Sequence, residues 1–156
     1  MKHFMHLFLL AILLGCTFAQ AEQPKKIGPA FVYQSKMDFE DAKLNLADAI
    51  EAEGMVISFT SHAQKMLERT AESIKGKGNI YDNAEIIQFC KADLSHKLVS
   101  ANPHNLVLCP YSIAIYSLKT NPKLVYFSYR EPYLDEPVAK SIQTLLDRLI
   151  LEAIDA

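Results

Sequence analysis

The stretch Leu106-Val-Leu-Cys-Pro-Tyr-Ser-Ile-Ala-Ile-Tyr-Ser-Leu118-Lys-Thr-Asn-Pro122-Lys-Leu-Val-Tyr-Phe-Ser-Tyr129 decides the fold class. Its two apolar runs are rich in β-branched and aromatic residues, and the four residues from Lys119 to Pro122 favour a turn. The pattern predicts an antiparallel hairpin with strands over about 106–118 and 123–129. Cys109 and Pro110 fall inside the first run. Proline cannot donate to a ladder, so they belong at a strand start or a bulge. Tyr111, Tyr116, Tyr126 and Tyr129 make the hairpin a candidate ligand-binding surface or subunit interface. The plainer alternative is that half of them face the core and the rest cover the sheet.

Working outward, Asp135 and Glu136 precede Pro137, a good first helical residue. Val138, Ile142, Leu145, Leu146, Leu149 and Ile150 then give a helix with a wide apolar stripe. Upstream of the hairpin, Asn102-Pro103 stops a helix expected from Asn83. Ile86, Ile87, Cys90, Leu94 and Leu98 share one face of that helix, although Asp93 could open a fresh turn instead. Cys90 belongs to the buried side in this reading. Earlier still, Ala30–Ser35 has strand composition, and Asp38 caps a helix carrying Phe39, Ala42, Leu46, Ala49 and Ile50 that Gly54 ends. Met55–Thr60 reads as a strand. Ser61 could then cap an amphipathic helix through Ala63, Met66, Leu67, Ala71 and Ile74, and Gly76-Lys-Gly-Asn79 turns the chain.

The expected order is β-α-β-α-α-β-β-α, an α+β fold with helices packed on a mostly antiparallel sheet of about four strands. The alternating series needed for a doubly wound fold is missing.

The start of the chain carries an address. Met1-Lys-His3 is a short basic opening, and Leu7–Leu14 is an apolar run too short to span a bilayer. Residues 1–21 therefore read as a secretory signal, 22–29 as a spacer with two prolines, and 30–156 as a single domain. Export to a bacterial periplasm or cell envelope follows. Ala19-Gln-Ala21 suits ordinary cleavage, whereas Leu13-Leu-Gly-Cys16 resembles a lipobox in which Cys16 would be lipidated and tether the protein to a membrane.

Loss of residues 1–21 removes one lysine and no acid, leaving 15 basic against 18 acidic residues, or −3. With no basic cluster beyond Lys25-Lys26, a nucleic-acid partner is not expected.

The segments Ile80-Tyr-Asp-Asn83, Phe89-Cys90, Leu108-Cys-Pro110 and Ile113-Ala-Ile-Tyr116 resemble the domain of unknown function 302 family over about Ala30 to Leu151. The resemblance implies a compact α+β domain, often dimeric, with no established reaction. Many members place the proline before the cysteine, and the order found here moves the thiol by one residue. On a strand that shift changes its face.

Without the leader, two cysteines remain, Cys90 and Cys109. In an oxidising compartment the simplest reading is a disulfide, and closing that short loop is worth about 3 kcal/mol on the chain-entropy model. Two reduced buried thiols are the alternative, and redox or metal chemistry a further one. The redox version lacks a Cys-x-x-Cys. A metal set would add His96 and His104, but six residues along a helix turn by about 240°, carrying His96 away from Cys90. Ser95-His96 and Ser112 are weak hydrolytic candidates because adjacent helical residues do not face each other. Glu40, Asp41, Asp48, Glu51 and Glu53 read as a mostly solvated helix face.

The sequence thus leads to an exported, noncatalytic binding domain, expected as a homodimer without a cofactor, whose partner is a small apolar ligand or an envelope protein. A cell-envelope thiol-redox or metal-dependent protein using Cys90 and Cys109 is the alternative.

Overall fold

The computed structural model describes residues 23–75, 78–133 and 137–156. The leader with Cys16, residues 76–77 of the glycine turn, and Asp135 and Glu136 lie outside the described residues.

The fold is α+β. Its sheet has six strands rather than about four, in the order β1-β2-β6-β5-β4-β3, and every neighbouring pair is antiparallel. The strands are β1 (Lys25–Ile27), β2 (Ala30–Lys36), β3 (Val56–Ser61), β4 (Tyr81–Cys90), β5 (Tyr111–Leu118) and β6 (Asn121–Arg130). The helices are α1 (Phe39–Ala52), α2 (Ala63–Ala71), α3 (Ala92–Ala101) and α4 (Pro137–Asp155), and a 3-10 turn spans Pro103–Leu108.

Two strands enlarge the expected sheet. Lys25–Ile27, within the stretch read as a spacer, pairs with Ala30–Val32 across a turn in which Gly28 has a positive φ of 56°. The second is β4, which replaces the first half of the helix expected from Asn83. Ile87 and Phe89 alternate into the core, paired with Ile113 and Tyr111 of β5, and β3 borders the same strand on its other side. A strand flanked on both sides satisfies its backbone as fully as a helix does, and its β-branched pair Ile86-Ile87 favours extended backbone. Helix begins only at Ala92, with Asp93 in its first turn.

The expected hairpin forms as β5 and β6, with Lys119-Thr120 as the connection. The run before Tyr111 is not strand: residues 103–108 coil into the 3-10 turn, leaving Cys109 and Pro110 as the lead-in to β5.

Elsewhere the helices form where their caps and stripes put them. Asp38 accepts a hydrogen bond from the Glu40 backbone N–H at 2.9 Å, and Gly54, with φ of 72°, turns the chain after α1. Leu46 and Ile50 of α1 interleave with Ile142, Leu149 and Ile150 of α4 over Phe89, Ile113, Ile115 and Phe127. Each fully buried aliphatic or aromatic side chain contributes about 1.5–3 kcal/mol. Asn45 Nδ2 donates to the Ala153 carbonyl at 3.1 Å, fixing α1 against α4. Glu53, expected on the solvated face, instead accepts from Lys91 Nζ at 2.5 Å and Arg148 Nη2 at 2.9 Å, and the Lys91 contact holds its carboxyl below the usual range.

The sheet's other face is only partly covered. Ala63 and Leu67 of α2 lie over Ala84, Ile86, Ala114 and Tyr116, and α2 itself has no buried residue. Ser61 is the last residue of β3, and His62 holds the N-cap position without a side-chain bond. Among the described residues no helix is long and apolar enough to cross a membrane.

Candidate functional site

Cys90 and Cys109 meet at one end of the sheet. Cys90 closes β4 and Cys109 stands two residues before β5. Because Phe89 is registered with Tyr111, the antiparallel ladder brings Cys90 diagonally beside Cys109. The first turn of α3 brings Ser95 to the same corner, with its Oγ 3.6 Å from Cys109 Sγ. The Cys109-Pro110 peptide is cis.

Cys90 is exposed rather than on a buried helix face, and both cysteines are free thiols. Although the residue is open to solvent, its sulfur turns towards Cys109, Ser95 and the Tyr111 backbone; desolvation, followed by the Cys109 thiol, pushes its pKa up. A raised pKa keeps the thiol protonated at neutral pH and leaves less of the reactive thiolate. His96 and His104 are both exposed, and among the described residues no three His, Cys, Asp or Glu side chains gather closely enough to hold a metal. Ser95 joins the thiols, and Ser112 lies on β5 while His96 belongs to α3.

The four candidate tyrosines divide by strand parity. Tyr111 and Tyr129 point to the helices and are 4% and 2% exposed. Tyr116 and Tyr126, a registered pair, stack on the opposite face with ring centroids 5.1 Å apart, and Tyr81 meets Tyr116 edge-on at 5.5 Å. Burial, then Tyr81 and Tyr126, raises the Tyr116 pKa. This is the plainer of the two expected arrangements, with half of these tyrosines facing the core and the rest covering the sheet.

Beside the thiol corner lies a cleft of about 530 Å³. Its floor exists because small residues occupy the middle of the sheet: Ser112 and Ala114 on β5 and Ser128 on β6. Val107, Leu108 and Pro110 make a contiguous apolar wall, Pro29 and Pro132 add further apolar lining, and the buried Tyr111, Tyr129, Ile142 and Leu146 reach it from the core. Gln88, Arg130 and Glu131 contribute the polar edge. Lys26 Nζ takes up Glu131, at 2.9 Å from Oε1 and 2.8 Å from Oε2. Arg130 has no carboxylate partner among the described residues.

Sequence reasoning missed Arg130, Gln88 and the triad beneath the cleft. There Tyr33 donates to Asp147 Oδ1 at 2.8 Å, and Tyr129 donates to the same oxygen. Burial first, and the Asp147 hydrogen bond second, raise both phenol pKa values far above the ordinary range. The available signal was Asp147 itself, which sits between the apolar positions Leu146 and Leu149 of the last helix.

A six-stranded antiparallel sheet with α1, α3 and α4 on one face and α2 over part of the other, a paired-thiol corner and an adjoining cleft define a small α+β domain. The family model described as "Domain of unknown function DUF302" matches residues 31–155, and the chain belongs to that family. It is also similar to the crystal structure of an uncharacterized conserved DUF302 protein from Bacillus stearothermophilus, with 10% identity and a TM-score of 0.62 over 83% of this chain and 98% of that one. At that identity the likeness is one of fold. No curated protein matches the chain.

Proposed function

We propose that this chain is an exported, noncatalytic binding module that takes a small amphipathic molecule into the cleft beside Tyr111 and Tyr129. The observation that carries this reading is the cleft itself. Its 530 Å³ falls within the range of small-molecule sites, and its lining combines apolar walls with a few polar groups at the edge. Export rests on the leader at residues 1–21, and a disulfide between Cys90 and Cys109 suits that compartment. A homodimer is the assembly that the family resemblance implies.

The thiol-redox alternative draws support from the adjacency of the two cysteines, but the raised pKa of Cys90 is the wrong direction for an attacking thiolate. The thiols read better as a staple beside the cleft than as a reaction centre.

The test uses a neutral apolar fluorophore, N-phenyl-1-naphthylamine, with the chain beginning at Glu22. Saturable binding is expected in the micromolar range, of order −8 kcal/mol. Ala114→Phe fills the cleft floor and should abolish it while leaving the circular dichroism unchanged. A folded wild-type chain that does not enhance the dye's emission would sink the reading.

A further inference from the structure

We infer that the ligand is a singly charged anionic amphiphile, an apolar chain ending in a carboxylate, whose head group is held by Arg130. This deepens the binding reading and rests on it.

The argument begins with charge. Among the described residues, two side chains that are charged at neutral pH border the cleft, Arg130 and Glu131. They would cancel if both were free, but both Glu131 oxygens are engaged by Lys26 across the β1–β2 hairpin, and the Glu131 backbone N–H donates to the Pro29 carbonyl at 2.8 Å. Glu131 is thus turned towards Lys26 and neutralised there, leaving one guanidinium to set the sign at the cleft. A guanidinium is the side chain best matched to a planar two-oxygen anion, because its parallel N–H donors bind both oxygens at once. One free positive charge balances one negative charge, which favours a carboxylate over a doubly charged phosphate.

Register then positions the rest of the ligand. Arg130 ends β6 opposite Ala30, and two residues back Ser128 pairs with Ala114. Gln88 and Ser112 form the next polar pair, on β4 and β5. A head group at Arg130 therefore sits at the margin of the sheet, with amide and hydroxyl donors behind it. A chain running inward would pass Val107, Leu108 and Pro110 and end at Ala114 and Ile86, which border α2. Val107 is 84% exposed and Leu106 63%, so this wall continues outward as an apolar lip with no covering side chain among the described residues. An apolar chain gives that lip a function that a compact polar ligand would not.

The test is displacement of N-phenyl-1-naphthylamine at pH 7.5 by decanoate, decanol and decyltrimethylammonium, each below its micelle concentration. Decanoate should displace the dye at about one-tenth of the decanol concentration, the scale of a charge-assisted bond worth about 1.4 kcal/mol, and the cationic amphiphile should be weakest. Arg130→Gln should bring decanoate to the decanol level when both are referred to that variant's own dye affinity, whereas Arg130→Lys should keep part of the preference. Lys26→Gln frees Glu131 and should weaken decanoate several-fold. Equal displacement by all three compounds, or a decanoate preference that survives Arg130→Gln, would overturn the inference and leave the binding reading standing. A wild-type chain that takes up no dye removes both.

Discussion

Asp147 accepts hydrogen bonds from two buried phenols, Tyr33 on β2 and Tyr129 on β6, and so ties α4 to neighbouring strands at a single oxygen. Both phenols have pKa values raised in the fold, by burial first and by the carboxylate second. In the unfolded chain a tyrosine releases its proton near pH 10, whereas in the fold it holds it well beyond that. The stabilisation is therefore fully present below about pH 10 and is lost as pH rises through and above it. We expect cooperative alkaline unfolding, with tyrosinate absorbance at 295 nm and loss of circular dichroism rising together for the two phenols. The Tyr33→Phe, Tyr129→Phe double variant should be less stable at pH 7 by about 2–4 kcal/mol, since it leaves a carboxylate without its donors, and its stability should fall less steeply above pH 10. Equal alkaline slopes in the variant and the wild type would show that these phenols do not govern the transition. The pair was not legible in sequence because each tyrosine lies on a different strand, and nothing along the chain registers residue 33 with residue 127.

Among the elements, β4 separates what periodicity can read from what it cannot. Ile86, Ile87 and Cys90 are compatible with both a helical stripe and a strand over so short a run, and Leu94 and Leu98 continue the helical spacing. The structure divides the segment at Lys91: Ile87 and Phe89 alternate inward on a strand, and Leu94 and Leu98 then face the core from α3. What selects the strand is its pairing with β3 and β5, a tertiary property absent from the local sequence. The hairpin, by contrast, was readable because its turn and both strands are contiguous. The same parity explains why the tyrosines split: 111 and 129 take one face, 116 and 126 the other. Two substitutions test the element. Phe89→Ala should destabilise by about 3–5 kcal/mol because it empties a fully buried site. Asp38→Ala, which removes one cap bond of α1, should cost about 1 kcal/mol. Urea denaturation followed by circular dichroism measures both, and a Phe89→Ala cost no larger than that of Asp38→Ala would contradict the central placement of β4.

On the scale of the whole molecule, the two thiols connect the sheet to the cleft. Cys90 ends β4, Cys109 leads into β5, and Leu108, Pro110 and Tyr111 around Cys109 all line the cleft. Closing the pair requires a two-electron oxidant: the S–S bond forms as each thiol gives up its proton, and a disulfide such as oxidised glutathione takes the electrons and becomes two thiols. The bond would enclose α3 and the 3-10 turn in a short covalent loop. In the chain-entropy model that loop is worth about 3 kcal/mol, enough to raise Tm by roughly 10 °C for a domain of this size. The chain beginning at Glu22, equilibrated with oxidised glutathione, should therefore melt well above the same chain in dithiothreitol. Cys90→Ser and Cys109→Ser should each match the reduced wild type and show no response to reductant. Dye binding should survive in both variants, because neither sulfur lines the cleft. Two free thiols titrated in denaturant after the oxidising treatment would rule out the staple. Loss of dye binding in a well-folded serine variant would instead give the thiols a direct role in the site and revive the redox reading.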